Sequence, residues 1–362
     1  MGSITRGIAN NILGSGAVDA TDGLSGTIPA NNIANASLNN LTAFPPSVSA
    51  GIPQVASDPP SPTEGDVWYN TTSYKLKVRG TSVPAGTWAS GGNMNAGNRN
   101  FGASFGTQSA ALESGGDPIV ATTELYNGST WTEVNDLNTG RSAGHSGGTQ
   151  TSGIVAGGNT PPGTTATESW DGTNWTTSPA TLNNARFYGA SAGTETALIM
   201  AGGENNGPGL VFTETFNGTS WTEVADLNTA RAQVSGVGTI TSALAIGGSA
   251  APYGFNESWN GTSWTETTDM NTARFGVGAV GSSAEALIFG GYSPAAGNRV
   301  ANTELWNGTT WTELNDLTGA RSGNGRGGTT ALALTYGGYF GANLSTTEEW
   351  TAPVANQNVT LT

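Results

Sequence analysis

The chain has 362 residues, 55 of them glycine and none cysteine, and carries a formal charge of −14. Without cysteine there can be no disulfide, no thiol catalysis and no Cys-based metal site. Its only lysines are Lys75 and Lys77, so it has no basic patch of the kind nucleic-acid phosphates require.

Residues 1–60 are rich in Asn, Ala, Ser and Gly, with Ile4, Ile8, Ile12, Leu13, Ile28 and Ile33 spaced among them. So few apolar residues cannot bury a core by themselves. The segment reads as a flexible leader or as an extended anchor that orders against partner subunits, and the recurring Ile and Leu favour the anchor. Residues 1–30 lack the layout of a secretory signal. No apolar run reaches the ~18 residues of a membrane span, so membrane insertion is not expected. Residues 61–80 follow as a Pro-rich linker with a short β-hairpin, Val67–Tyr69 against Lys75–Val78.

From 81 to 353 one unit recurs six times, with a period of 42–47 residues that indicates propeller blades. Arg99, Arg141, Arg186, Arg231, Arg274 and Arg321 each precede a diglycine by 16 residues. The second half of the unit holds Glu124, Glu168, Glu214, Glu257 and Glu304, with Trp131, Trp175, Trp221, Trp264 and Trp311 seven residues later. Each unit fits four strands. Asn127-Gly128, Asp171-Gly172, Asn217-Gly218, Asn260-Gly261 and Asn307-Gly308 join the last two strands, and are expected to form tight type I′ turns. The diglycine is expected where backbones approach closely.

The sixth unit stops after Glu348-Glu349-Trp350, and its missing strand is supplied by Gly86-Thr87-Trp88 near the other end of the chain. The expectation is an all-β, six-bladed β-propeller closed by an N-terminal strand, with 354–362 as a C-terminal tail. Closure removes the sheet edges that an open array would expose. The repeated Arg and Trp, Trp88 included, read as structural; each Arg should bond carbonyls or a strand Glu. Unit one departs from the pattern, with Glu113 where the other units are apolar or carry Thr.

These units resemble Kelch repeats: Arg near the start, Gly-Gly after an apolar run, then a separated aromatic and Trp. The likeness covers about three-quarters of the chain and implies a propeller fold, which hosts enzymes, adaptors and adhesins alike. Two shorter stretches resemble tail-fibre and related virion proteins of bacteriophages, notably marine, cyanophage-like ones. They are Pro62-Thr63-Glu64-Gly65-Asp66-Val67-Trp68-Tyr69-Asn70-Thr71 and the leader Ile4-Thr5-Arg6-Gly7-Ile8-Ala9-Asn10-Asn11. The resemblance implies a virion structural protein assembled in the bacterial host cytoplasm. Residues 1–60 would then attach it to other virion proteins or oligomerise it with copies of itself.

Catalysis is not expected. The Kelch enzymes resembling galactose oxidase need a Tyr–Cys pair and histidine copper ligands, and His145 is the sole histidine. Ser169-Trp170-Asp171-Gly172-Thr173-Asn174-Trp175 is one residue short of a sialidase Asp-box and reads as a hairpin turn. Asp136, Asp226, Asp269 and Asp316 stand alone, without the oxygen cluster calcium takes. No cofactor or metal is expected.

Nearly all length variation falls between diglycine and Glu, where the spacing runs 9, 11, 12, 10, 14 and 11. In a four-stranded blade that connection shares one face with the blade-to-blade links, and variable loops on a rigid scaffold commonly carry specificity. The candidate ligand-binding residues there are Phe212, Tyr253, Phe255, Tyr292, Arg299, Tyr339 and Phe340. They would meet a host surface glycan or another protein. A non-viral Kelch adhesin or interaction scaffold is the alternative, and a glycan-active enzyme a third reading.

Overall fold

The computed structural model describes residues 53–57, 67–72, 75–78, 86–95 and 99–352; nearly all of the expected anchor segment (1–60) and the whole expected C-terminal tail (354–362) lie outside them. The chain divides into two units, Met1–Val83 with Val354–Thr362, and Pro84–Pro353. All regular structure among the described residues is β-strand.

In the smaller unit, Val67–Asn70 pairs antiparallel with Lys75–Val78. Gln54–Val55 adds to it as a short parallel strand. Asn70 Oδ1 accepts the Thr72 amide at 3.0 Å and fixes the turn.

The larger unit is a six-bladed propeller of four-stranded antiparallel sheets. Blade one is representative: Ala103–Thr107, Ala110–Ser114, Thr123–Tyr126 and Trp131–Val134, paired in that order. Blade six is Gly325–Gly328, Leu332–Tyr336, Thr347–Thr351 and then Thr87–Gly91 from the opposite end of the chain. Trp350 lies opposite Trp88, and Thr347 opposite Gly91, so the ring closes in register.

A single blade is too thin to bury its own apolar residues, and the cores form between blades. Six apolar clusters fill the six seams. One joins Phe105 and Leu112 of blade one to Val155, Trp170 and Trp175 of blade two. The second strands read as continuous apolar runs because they are covered on both faces; in blade three, Leu198–Ala201 are all buried.

The repeated tryptophans bind each blade to the one before it. Nε1 of Trp131, Trp175, Trp221, Trp264 and Trp88 donates to the hydroxyl of Thr347, Thr123, Thr167, Thr213 and Thr303, all at 3.0–3.1 Å. In blade four Asn256 replaces that Thr, and Trp311 donates instead to the Thr268 carbonyl. Nearer the axis, Ser104, Ser146 and Ser191 on successive first strands bond one another's backbones at 3.1 Å.

The hairpin turns differ from the expected type I′. Tyr126 pairs with Trp131, so four residues span the loop rather than two. Only the Gly of each Asn-Gly or Asp-Gly has positive φ, for example +90° at Gly128. Asn127 Oδ1 accepts the Ser129 and Thr130 amides at 3.0 and 2.9 Å, and Asp171 holds Thr173 and Asn174 in the same way. The side chain does the work assigned to a left-handed Asn.

Candidate functional site

The repeated arginines form six buried ion pairs, each with a Glu on the third strand of its own blade: Arg99–Glu124, Arg141–Glu168, Arg186–Glu214, Arg231–Glu257, Arg274–Glu304 and Arg321–Glu348, at 2.6–3.1 Å. Arg141 Nη1 also donates to the Gly157 and Ala166 carbonyls. The other side of each carboxylate takes an amide from the incoming link: Asn138 to Glu168 at 2.7 Å, Asn183 to Glu214 at 2.9 Å and Asn228 to Glu257 at 2.8 Å. The next blade's Arg carbonyl accepts from the second glycine of the diglycine, as Arg186 does from Gly158 at 2.9 Å. A Cβ at Gly157 would lie 2.6 Å from that carbonyl. Each repeat arginine thus has its own Glu, which explains why both recur, while Nε of Arg99, Arg186, Arg231 and Arg274 has no hydrogen-bond partner.

Asp136, Asp226 and Asp316 each accept the amide that opens a third strand, at 3.0–3.2 Å. Among the described residues no three acidic or histidine side chains are grouped to hold a metal. His145 is buried between blades two and three. Its Nε2 accepts the Gly189 amide at 3.0 Å, and its Nδ1 lies 3.3 Å from the Ala156 carbonyl. Burial, with Arg186 nearby, pushes its pKa down to about 3, so the ring is neutral and already occupied.

The face that carries the variable connections is organised differently. The residue two after each repeat Arg has positive φ in all six blades: Phe101, Ala143, Tyr188, Gln233, Gly276 and Gly323. Their backbones form a closed hydrogen-bonded ring around the axis, Phe101 to Gly323, Ala143 to Phe101, Tyr188 to Ala143, Val234 to Tyr188, Gly276 to Gln233 and Gly323 to Gly276. Four of the six are not glycine, and such backbones are held against their own preference by the surrounding structure.

Phe101 and Tyr188 meet edge-on at 4.7 Å over this mouth, with Phe187 beside Tyr188 at 5.2 Å. The cavity beneath encloses about 60 Å³, lined by the first-strand serines with Asn324 and Arg326. That volume suits a few waters and not a sugar ring. Burial, with Asp117 and Glu204 adding to it, pushes the Tyr188 hydroxyl up to about 12.

The expected candidate residues separate into two groups. Tyr253, Tyr292, Arg299 and Tyr339 form a continuous strip across blades four to six. Tyr253 lies 6.0 Å from Phe275, which lies 5.2 Å from Tyr292, and the Arg299 guanidinium stands over both Tyr292 (5.3 Å) and Tyr339 (4.5 Å). Phe340, 46% exposed, extends the strip at the blade-six hairpin. Phe212 and Phe255 stand apart from the strip. Their carbonyls accept the Gly202 and Gly247 amides at the start of the connection, and among the described residues their rings pair with none of the strip's aromatics.

Sequence reasoning missed Phe101, Phe187, Tyr188, Gln233 and Phe275. Their signal is positional: they follow the repeat Arg by one or two residues, where other units carry Asn, Ser, Ala or Gly. Glu113, the outlier of unit one, is buried with Oε2 unpartnered. Burial raises its pKa to about 8, opposed by Arg99, assisted by Glu124 and opposed by Arg326.

The fold and this face define a closed six-bladed β-propeller with a uniform buried girdle and one irregular, aromatic-rich face. The chain matches no protein-family model and no curated protein.

Proposed function

We propose that this chain is a Kelch-type propeller protein of a bacteriophage virion, a tail-fibre-like appendage that acts by binding rather than by catalysis. Residues 1–60 attach it to the particle, and the irregular face of the propeller meets a host surface glycan or another virion protein. The observation that carries the binding role is the contrast between faces. Variable connections, three linked tyrosines, a cation without a carboxylate and the exposed Phe340 all fall on one of them. The virion setting rests on the two short stretches that resemble phage fibre proteins.

The test is deletion of residues 1–60, scored for incorporation into particles and for attachment to cells. Loss of incorporation with retained cell binding supports the reading. Retained incorporation by the truncated chain moves the particle contact to the propeller. Cell binding by a protein that never enters particles favours a non-viral adhesin.

A further inference from the structure

Eight arginines lie among the described residues, at 99, 141, 186, 231, 274, 299, 321 and 326. Six pair with a Glu, and Arg326 lines the axial cavity. Arg299 remains. Its Nε is shielded from solvent without a hydrogen-bond partner, and no described carboxylate lies within ion-pair distance.

Its position is built by two inserted hairpins. Tyr292–Ser293 pairs with Asn298–Arg299, which sets Tyr292 directly opposite Arg299. Tyr339–Phe340 pairs with Ala342–Asn343 in the neighbouring blade and supplies the second ring. Asn343 ties that hairpin onward to blade one, donating to the Asp117 carbonyl at 2.7 Å. A guanidinium resting on aromatic faces is held there by the rings and keeps the donors of its edge for something else. Those donors form a planar fork that matches an oxyanion.

We propose that Arg299 is the oxyanion-binding subsite for a sparsely acidic polysaccharide, one carrying a carboxylate or a sulfate ester on an otherwise neutral chain. This rests on the reading of the face as a glycan-binding surface. A protein of charge −14 repels a densely charged partner at long range, so isolated anionic groups suit it better than a polyanion. The exposed Phe340 beside the subsite offers an apolar platform for the neutral sugars.

The experiment measures binding of the full chain to three polymers: hyaluronan fragments for carboxylate, lightly sulfated dextran for sulfate, and unmodified dextran as neutral control. Oligoglutamate serves as the peptide comparison, and cell attachment is scored in parallel. The expected result is at least tenfold tighter binding to one acidic polymer than to dextran. Arg299→Gln abolishes that preference, and Arg299→Lys keeps part of it. Whichever acidic polymer wins identifies the oxyanion.

Equal binding of all polymers by the wild type, or an acid preference that survives R299Q, overturns the proposal. Binding confined to oligoglutamate also overturns it, in favour of an acidic protein partner. Cell attachment undiminished in R299Q, with no acid preference in the wild type, removes the subsite and leaves the binding face standing. Acid preference without cell attachment keeps the subsite and removes the host-attachment reading. Should R299Q fold poorly, Arg299→Lys carries the same test, because a merely structural cation–aromatic contact tolerates it.

Discussion

The girdle and the irregular face both use arginine, to different ends. In the girdle, Arg186 meets Glu214 at 2.9 Å, both fully buried, and the same pair recurs in every blade. On the face, Arg299 meets two tyrosines and no acid, once only. A charge removed from water needs a counter-charge, so the girdle's pairs come as sets. A charge at the surface can stand without one. Recurrence therefore marks the residues that hold the ring, and irregularity marks those free to meet a ligand.

The comparison breaks most completely if the ring is opened. Deleting the strand Thr87–Gly91 uncovers the edge of Thr347–Thr351 and leaves Thr303 without the Trp88 donor. The expected outcome is loss of cooperative unfolding and concentration-dependent aggregation, read by calorimetry and light scattering.

Next in size, Arg186→Ala strands Glu214 in the core and is expected to cost about 3–5 kcal/mol. Arg299→Ala, at the surface, is expected to cost about 1 kcal/mol or less. Denaturant unfolding of the two variants measures the difference directly. Similar losses would erase the distinction between girdle and face.

Glu113 sharpens the comparison from inside the girdle. Its carboxyl keeps a proton in the folded chain up to about pH 8, whereas the unfolded chain loses it near the ordinary 4.5. Between those values the native state binds more protons, so stability falls as pH rises. His145 works the other way below 6.5, because its folded pKa of about 3 leaves it neutral while the unfolded chain charges. From pH 6.5 to 8 the Glu113 contribution operates without opposition from His145. Melting temperature is expected to fall across that window in the wild type and to stay level in Glu113→Gln. A flat wild-type profile would show that Arg99 and Arg326 already keep Glu113 ionised.

The smallest effect concerns the ring of left-handed residues. Gln233 holds φ +55° at a position where blades five and six carry glycine. Gln233→Gly is expected to stabilise by about 0.5 kcal/mol, since relief of strain outweighs the extra entropy of the unfolded chain. Loss of stability instead would mean that the Gln233 side chain supports the mouth.

Much of the fold was legible because each blade repeats the same local chemistry. The 16-residue Arg-to-diglycine spacing, the seven-residue Glu-to-Trp spacing and the truncated sixth unit together specify six blades and a closing strand. The turn chemistry was misread, because Asn-Gly signals a turn without revealing whether the Asn backbone or its carboxamide shapes it. At Asn127 the carboxamide does. The face was legible in part. Loop-length variation pointed to Tyr292, Arg299 and Tyr339, which the structure joins. The same rule included Phe212 and Phe255, which serve as backbone anchors at the start of the third strand.

The sequence by itself determined the repeat, its count and its closure, since these depend on residues a fixed number of positions apart within one strand or hairpin. Tertiary structure decided which third-strand Glu answers each Arg and which Thr answers each Trp. It also decided which aromatics meet across the face. Phe101 and Tyr188 are 87 residues apart and Arg299 and Tyr339 are 40 apart, counted along the chain. Only the curvature of the ring, set by how blade seams pack, brings each pair within 5 Å.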